Sequence, residues 1–162
     1  MIAALVLSAL FSQMPAPELT VYVFTTTDCP ISNRYAPEIQ RLAAKFAPKA
    51  RFVLVYPVPT DSAEMIREHK KKFAYAIDSV RDTDQQLVKL TGVSITPEVA
   101  LMKGSQLLYR GRIDDRYIEF GKDRPTPTQR DLEAALDAAT TGKTIAVKQT
   151  QAIGCILADL VK

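Results

Sequence analysis

Apolar side chains alternate between strand-like and helix-like spacings in the first part of the chain. A β-branched and aromatic run over 19–26 predicts a strand, and a continuous apolar run over 51–58 predicts another, covered on both faces as in a parallel sheet. Between these runs, apolar residues recur three or four positions apart, as in a helix that ends near Pro48. These residues are Ile31, Tyr35, Ile39, Leu42, Ala43 and Phe46. Strand, helix and strand in this order imply a right-handed crossover.

The rest of the chain continues as short helices and strands. Further helices are predicted at 61–73, 82–91 and 128–142, and further strands at 75–78, 107–111 and 143–148. A capping box at 61–64 begins the first of these helices, and Gly92 and Gly142 are placed to end the other two in the left-handed conformation. Pro37 lies inside the earlier helical pattern, where we expect it to produce a kink.

Cys29 lies where the first strand ends and the first helix begins. Unpaired N–H groups at a helix N-terminus stabilise an anion, and a free thiol of pKa ~8.5 can fall to roughly 3.5–7.5 in such a place. Asp28 opposes this effect with a negative charge, whereas Ser32 is placed to donate a hydrogen bond to the thiolate. We therefore expect moderate activation of Cys29. The alternative is a packing role, which is common for a lone buried cysteine.

Cys155, in the C-terminal segment 149–162, leaves two interpretations open. Gly154 gives the backbone freedom for a turn that brings Cys155 back over the Cys29 helix, where it resolves oxidised Cys29. Otherwise Cys155 is a small buried hydrophobic residue. The sequence does not decide between them, because a disulfide needs a Cα separation of ~4.4–6.8 Å that spacing alone cannot establish.

Composition and charge exclude several functions. The 162 residues fit one domain at 18–148 with this tail, and 47% hydrophobic with 24% charged residues is typical of a globular protein. A net charge of +3 is too small to indicate nucleic acid binding. The cysteine and histidine spacing does not predict a zinc site, and no cofactor is predicted. His69 is followed by three lysines, which favour an exposed side chain over a redox or metal partner.

The N-terminal segment 1–17 is almost wholly apolar up to Phe11. It is too short for a membrane span but fits the central part of a secretory signal, although no basic residue precedes Arg34. We expect a periplasmic or secreted protein without an integral membrane span in the mature domain. The alternative is a cytoplasmic protein that begins with a hydrophobic strand or helix.

Two motifs carry a resemblance to a known family. Cys29-Pro30-Ile31-Ser32 is followed by Pro37, and Thr96-Pro97-Glu98 precedes an apolar strand and a hairpin. The span from Leu19 to Gly142 resembles the AhpC/TSA and TlpA-like branch of the thioredoxin superfamily. The resemblance implies an α/β fold with three layers, in which helices flank a central mixed sheet.

The resemblance also implies roles for particular residues. Cys29 would be the attacking thiol, Pro97 a cis-proline that shapes the substrate groove, and Thr96 a source of backbone hydrogen bonds to a bound peptide or thiol. Ser32 stands where a thioredoxin has its second cysteine, so Cys155 or an external thiol must resolve the mixed disulfide. The peroxiredoxin pattern Pro-x-x-x-Thr-x-x-Cys is half present, because Tyr22 occupies the place of its proline.

The sequence therefore supports a thiol-dependent oxidoreductase that acts on a disulfide-bearing protein or a small peroxide. A second hypothesis is a binding module for copper or a client protein, with Cys29, Cys155 and His69 as soft donors. A third is a scaffold that has lost its activity. An alternating charge cluster over 110–116 is either a surface ion-pair network or a rim that orients a carboxylate substrate. The oligomeric state is not predicted.

Overall fold

The computed structural model of the protein describes residues 17–160. Most of the predicted apolar N-terminal segment therefore lies outside the described residues. The strands are β1 Leu19–Phe24, β2 Ala50–Tyr56, β3 Asp78–Arg81, β4 Ile95–Thr96, β5 Glu98–Lys103, β6 Gln106–Gly111, β7 Tyr117–Glu119, β8 Lys122–Asp123 and β9 Cys155–Ile156. The helices are α1 Pro30–Arg34, α2 Ala36–Phe46, α3 Ala63–Lys72, α4 Gln86–Thr91, α5 Asp131–Thr140 and α6 Leu157–Leu160.

A central sheet with strand order β3-β2-β1-β5-β6 organises the molecule. β1, β2 and β3 are parallel, whereas β5 and β6 run antiparallel to their neighbours. The β1 to β5 pairing is in register from Leu19 with Lys103 to Phe24 with Glu98. This pairing places the end of β1, and the loop that follows it, beside the start of β5.

Alternating strand residues divide the core into two layers. Val21 and Val23 of β1 join a large cluster with Leu42 of α2 and Leu136 of α5. Phe24, the residue after Val23, belongs to a second cluster, whose members also include Val55, Val93, Ala100 and Leu157. Because successive side chains of a strand point to opposite faces, both faces of the sheet are covered. The predicted three-layer α/β fold with a central mixed sheet is confirmed.

Several predicted elements differ in their bounds. The helix after Cys29 breaks at Tyr35 into α1 and α2, which is the effect expected of Pro37. The strand predicted at 75–78 is instead β3, because the parallel register pairs Val53 of β2 with Asp78. α4 begins only at Gln86, since the Asp82 carboxylate accepts hydrogen bonds from the N–H groups of the first helical turn.

Residues after α5 return along the edge of the sheet rather than forming the strand predicted at 143–148. Arg110 N–H donates to the carbonyl of Lys148, and Thr150 N–H donates to the carbonyl of Arg110. The chain then reaches β9, which pairs antiparallel with β4. Among the described residues, no helix has the length and apolar character that a membrane crossing requires.

Candidate active site

Cys29 is the N-cap residue of α1, directly after the loop that leaves β1. Its carbonyl accepts the N–H of Asn33 at 3.0 Å, and Pro30 occupies the first helical position. The side chain is 3% exposed, and Sγ lies 3.6 Å from the carbonyl oxygen of Thr96. The predicted position of Cys29 at a strand-to-helix junction is therefore confirmed, with the thiol directed toward β4.

Cys155 reaches the same place from the C-terminal tail. The β4 to β9 ladder pairs Thr96 with Cys155 and Ile95 with Ile156. The Sγ atoms of Cys29 and Cys155 are 3.6 Å apart, and both residues are free thiols. Of the two interpretations that the sequence left open, the structure supports the one in which the tail folds back to Cys29.

Gly154 makes this approach possible, for a different reason from the one expected. Its φ is not positive, so turn freedom is not what the position requires. A Cβ at Gly154 would instead lie 2.1 Å from the carbonyl oxygen of Thr96. Only glycine leaves room for the tail to pack against β4 at this point.

The Thr96–Pro97 turn is held by a carboxylate that sequence reasoning missed. The peptide bond between the two residues is cis. Glu98, 6% exposed, accepts hydrogen bonds from the N–H groups of Ser94 and Ile95 at 2.9 and 3.2 Å. Burial raises the pKa of Glu98, and these two hydrogen bonds and the charge of Arg110 oppose the rise. An acidic residue at the start of an otherwise apolar strand was the available signal.

Ser32 does not make the hydrogen bond expected of it. Its Oγ is buried and has no hydrogen-bond partner in the part of the chain that the structure describes, and the same holds for Thr96 Oγ1. The Cys29 sulfur is instead directed toward the Thr96 carbonyl and Cys155. The backbone of Thr96, predicted to bind a peptide or thiol, is paired with Cys155 of the same chain.

His69 is buried rather than exposed, which corrects the sequence prediction. It is 4% exposed, Nδ1 lies 2.8 Å from the Tyr56 hydroxyl, and Nε2 lies 2.7 Å from Oδ1 of Asn33. Asn33 in turn donates from Nδ2 to the carbonyl of Thr27 at 3.4 Å. The three lysines beside it in sequence were misleading, because one face of α3 packs against the core while they occupy the others.

This chain of hydrogen bonds connects α3 to the loop that carries Cys29. The Asn33 amide donates from Nδ2, so Oδ1 accepts, and His69 Nε2 carries the proton while Nδ1 accepts from the Tyr56 hydroxyl. Burial, followed by the charge of Lys72, lowers the pKa of His69, which agrees with a neutral ring. Asp61 also holds this loop, because its carboxylate accepts from the Thr27 hydroxyl at 2.5 Å.

The two thiols influence each other electrostatically. Burial raises the pKa of Cys155 to about 11, and the neighbouring Cys29 sulfur and the charge of Asp28 add to the rise. Cys155 therefore keeps its proton at neutral pH and is able to donate a hydrogen bond to the sulfur of Cys29.

Solved structures of other proteins share this architecture. An uncharacterised conserved protein from Geobacillus kaustophilus is similar with a TM-score of 0.74 and 28% identity, over 85% of this chain and 75% of that chain. A hypothetical protein from Sinorhizobium meliloti 1021 is similar with a TM-score of 0.73 and 26% identity, over 86% of this chain and 78% of that chain. A secreted Mycobacterium tuberculosis disulfide oxidoreductase has a TM-score of 0.53 and 19% identity, over 74% of this chain and 81% of that chain.

A central mixed sheet flanked by helices is the architecture that this chain shares with these structures. The chain has a thioredoxin-like fold. A scan against protein-family models and a search of the curated proteins found no match.

A groove in this thioredoxin-like chain opens beside Cys155, between α1 and the β7–β8 hairpin. Its volume is about 250 Å³, and its lining residues are Pro30, Ile31, Arg34, Tyr117, Phe120, Gly121, Asp123 and Cys155. Arg34 and Asp123 form an ion pair at 2.8 Å. The approach to Cys155 is therefore largely apolar and carries no unbalanced charge from this pair.

The charge cluster over 110–116 is built into the thioredoxin-like fold rather than arranged as a free rim. Asp114 is buried and accepts a hydrogen bond from the Tyr35 hydroxyl at 2.6 Å. Burial works against ionisation of Asp115, but hydrogen bonds from Thr128 and Gln129 outweigh it and hold the pKa of Asp115 below its usual range. These contacts oppose the prediction of a carboxylate-orienting rim.

The predicted copper donors do not all meet in the thioredoxin-like domain. Within residues 17–160, no group of three or more His, Cys, Asp or Glu side chains is arranged to hold a metal ion. Cys29 and Cys155 lie together, but both ring nitrogens of His69 are engaged by Tyr56 and Asn33.

Proposed function

We propose that the protein is a thiol-disulfide oxidoreductase in which Cys29 and Cys155 alternate between a dithiol and a disulfide. The observation that carries this proposal is the 3.6 Å separation of two free sulfur atoms that are 126 residues apart in the chain. The thioredoxin-like fold, shared with a secreted disulfide oxidoreductase, supports the same chemistry.

The reaction begins with the Cys29 thiolate. It attacks one sulfur of a partner disulfide, the other partner sulfur leaves as a thiolate, and a mixed disulfide forms on Cys29. Cys155 then loses its proton and attacks the Cys29 sulfur, which releases the second partner thiol. The partner gains two electrons and two protons, and the protein is left with a Cys29–Cys155 disulfide.

The raised pKa of Cys155 suits the order of these steps. While Cys29 is a thiolate, its charge helps to hold the proton on Cys155. Formation of the mixed disulfide removes that charge, so one cause of the raised pKa disappears when Cys155 must become a nucleophile. Because the fourth residue of the Cys-Pro-x-Ser motif is Ser32, the motif has no second thiol that could compete with Cys155.

Turnover of a peptide disulfide, with dithiothreitol as the reductant, tests the proposal. Substitution Cys29→Ser is expected to abolish turnover, because the attacking sulfur is lost. Substitution Cys155→Ser is expected to leave a mixed disulfide on Cys29 that mass spectrometry detects. Full turnover by the Cys29→Ser variant would contradict the proposal.

A small peroxide is the second substrate class for the same pair. Cys29 thiolate would attack the peroxide, giving a sulfenic acid and water or an alcohol, and Cys155 would condense with it to the disulfide and release water. The adjacent sulfurs support this step, whereas Tyr22 in place of the peroxiredoxin proline does not. Peroxide consumption measured beside disulfide turnover separates the two substrates.

The alternative function is a non-catalytic module that binds copper or a client protein. Two thiols 3.6 Å apart offer soft ligands for reduced copper, without His69 as a third. Competition with bicinchoninate for Cu(I) tests this alternative: stoichiometric binding lost on Cys29→Ser, together with absence of disulfide turnover, would support it.

For location, we propose an oxidising compartment, either the periplasm or the cell exterior. A reversible disulfide is chemically suited to such a compartment, and the similar Mycobacterium tuberculosis protein is secreted. Fractionation of cells that express the full chain tests this, and recovery in the cytoplasmic fraction alone would contradict it.

A further inference from the structure

The two cysteines differ in how an outside molecule reaches them. Cys29 is 3% exposed, with its sulfur enclosed between the Thr96 carbonyl and Cys155. Cys155 is half-buried and lines the groove between α1 and the β7–β8 hairpin, whereas Cys29 is not among the lining residues described for that groove. An approaching thiol that follows the groove therefore meets Cys155 first.

The groove has the size and character for one apolar side chain. Its volume of about 250 Å³ falls below the ~300–1,000 Å³ of pockets that hold drug-sized ligands. Phe120 at its edge is 73% exposed, and Ile156, next to Cys155, is 53% exposed. Large apolar residues this exposed beside a reactive sulfur indicate a contact surface.

The charged residues of the groove also favour an apolar occupant. Arg34 and Asp123 line it, and each is the other's partner at 2.8 Å. A charged group in the groove would have to compete with this ion pair, whereas an apolar group would not. The occupant that suits the lining is therefore uncharged and apolar.

We propose that the groove binds an apolar side chain adjacent to the thiol of a reducing partner, and that this thiol attacks Cys155 rather than Cys29. The proposal rests on the proposed function, because it concerns the return of the disulfide to the dithiol. The substrate class for that half-reaction is a thiol or dithiol flanked by an apolar or aromatic residue.

The reaction balances as two exchanges. The partner thiolate attacks the Cys155 sulfur, the Cys29–Cys155 bond breaks, and Cys29 leaves as a thiolate while the partner becomes bonded to Cys155. A second partner thiolate then attacks the partner's own sulfur and expels Cys155, which takes up a proton. Two partner thiols become one disulfide, and the protein gains the two electrons.

The experiment uses the oxidised full chain and two small thiols, N-acetyl-phenylalanyl-cysteine amide and its alanyl counterpart. Reactions are stopped with N-ethylmaleimide, and peptide mapping locates the adduct. We expect the peptide on Cys155 and the maleimide on Cys29, with the phenylalanyl probe about tenfold faster, as burial of part of an aromatic ring in an open groove implies. An adduct on Cys29, or equal rates for the two probes, would overturn the proposal.

Matched variants separate the groove from general effects. Phe120→Ala is expected to reduce the preference for the phenylalanyl probe at least threefold, because it removes the exposed ring at the edge of the groove. Leu90→Ala removes a comparably exposed apolar side chain that does not line the groove, and it is expected to leave both rates unchanged. An equal loss of preference in both variants would overturn the groove assignment.

Failure of the proposed function gives a different result. If oxidised protein contains no Cys29–Cys155 disulfide, both proposals fail together. If the disulfide forms and dithiothreitol reduces it, but the adduct maps to Cys29 without probe preference, only the route through the groove fails.

Discussion

Gly154 shows how a single backbone contact sets the sulfur separation. A Cβ there would meet the carbonyl of Thr96, which is backbone and cannot rotate away. We predict that Gly154→Ala moves the tail from β4 and slows formation of the Cys29–Cys155 disulfide at least tenfold without altering either thiol. Gln151→Ala, an exposed change in the same tail, is the control.

Alkylation after timed oxidation measures this rate. Disulfide formation in Gly154→Ala at the rate of the wild type would show that the close approach to Thr96 does not determine the position of Cys155.

His69 contributes to stability through the groups on either side of it. We predict that His69→Phe lowers the free energy of unfolding by about 2–4 kcal/mol, because it leaves the Tyr56 hydroxyl and the Asn33 carbonyl without their partner. Urea unfolding measures the loss. A change below about 0.5 kcal/mol would indicate that these hydrogen bonds have no net effect.

The lowered pKa of His69 also predicts a pH dependence. The unfolded histidine binds a proton near pH ~6.5, whereas the folded one resists it because of burial and then Lys72. As the pH falls below about 6.5, the unfolded state gains protons first, so the free energy of unfolding falls. Above that pH the contribution is fully present.

The difference between wild type and His69→Phe isolates this effect from the carboxyl groups. Asp61 and Glu98 act in the opposite direction, because burial raises their pKa values and the folded state protonates first. Urea midpoints from pH 7.5 to 5.5 should decline more steeply in the wild type than in the variant. Parallel curves would contradict the assignment.

The sequence predicted the position of Cys29 but not the surroundings of His69. The two differ in how far apart in sequence the interacting residues lie. The strand end, Pro30 and the helical spacing are all within a few residues of Cys29. The partners of His69, Tyr56 and Asn33, are 13 and 36 residues away and meet it only in the folded core.

The C-terminal tail is held in place more by the burial of Leu157 than by the pairing of β9 with β4. β4 and β9 pair over only two residues each, which is marginal alone. Leu157 is 3% exposed in the second core cluster, and its N–H donates to the Ser94 carbonyl at 2.9 Å. The apolar anchor therefore fixes the position of Cys155.

We predict that Leu157→Ala loosens the tail, since removal of a buried leucine costs about 2–5 kcal/mol. Iodoacetamide should then alkylate Cys155 at least fivefold faster in the reduced protein. Val147→Ala, at a 54% exposed position earlier in the returning segment, is the control. An unchanged alkylation rate in Leu157→Ala would contradict the anchor.

The end of a helix was predictable where a residue next to it caps the helix. The bounds of a strand were not predictable where pairing with another strand sets them. Gly92 ends α4 in the left-handed conformation as predicted, with φ of 71°. β3 shifted by three residues relative to its prediction because its register with β2 is a tertiary property. The residue types over 75–78 alone carried no information about that register.

The Cys29–Cys155 disulfide would close a loop across 126 positions of the chain. Closing so long a loop restricts the unfolded state and stabilises the fold by at most about 5 kcal/mol. We predict a higher urea midpoint for the oxidised than for the reduced protein. Equal midpoints would mean that the bond strains the native state as much as it restricts the unfolded one.

The layered fold follows from the sequence pattern, because alternating and helical spacings persist through β1, α2 and β2. The position of the tail cannot be read from the sequence pattern, because it depends on pairing between Thr96 and Cys155, which are 59 residues apart. The sequence identified both cysteines but left their proximity open, and the structure supplies it.

We propose that Cys29 and Cys155 form one reversible disulfide. To test this, the reduced full chain is treated with one equivalent of diamide and alkylated in urea at neutral pH, and its intact mass is measured. We predict a loss of two hydrogens with no alkyl group, reversed by dithiothreitol. A monomer that has lost no hydrogens and carries an alkyl group on each cysteine would contradict it, and so would a disulfide-linked dimer.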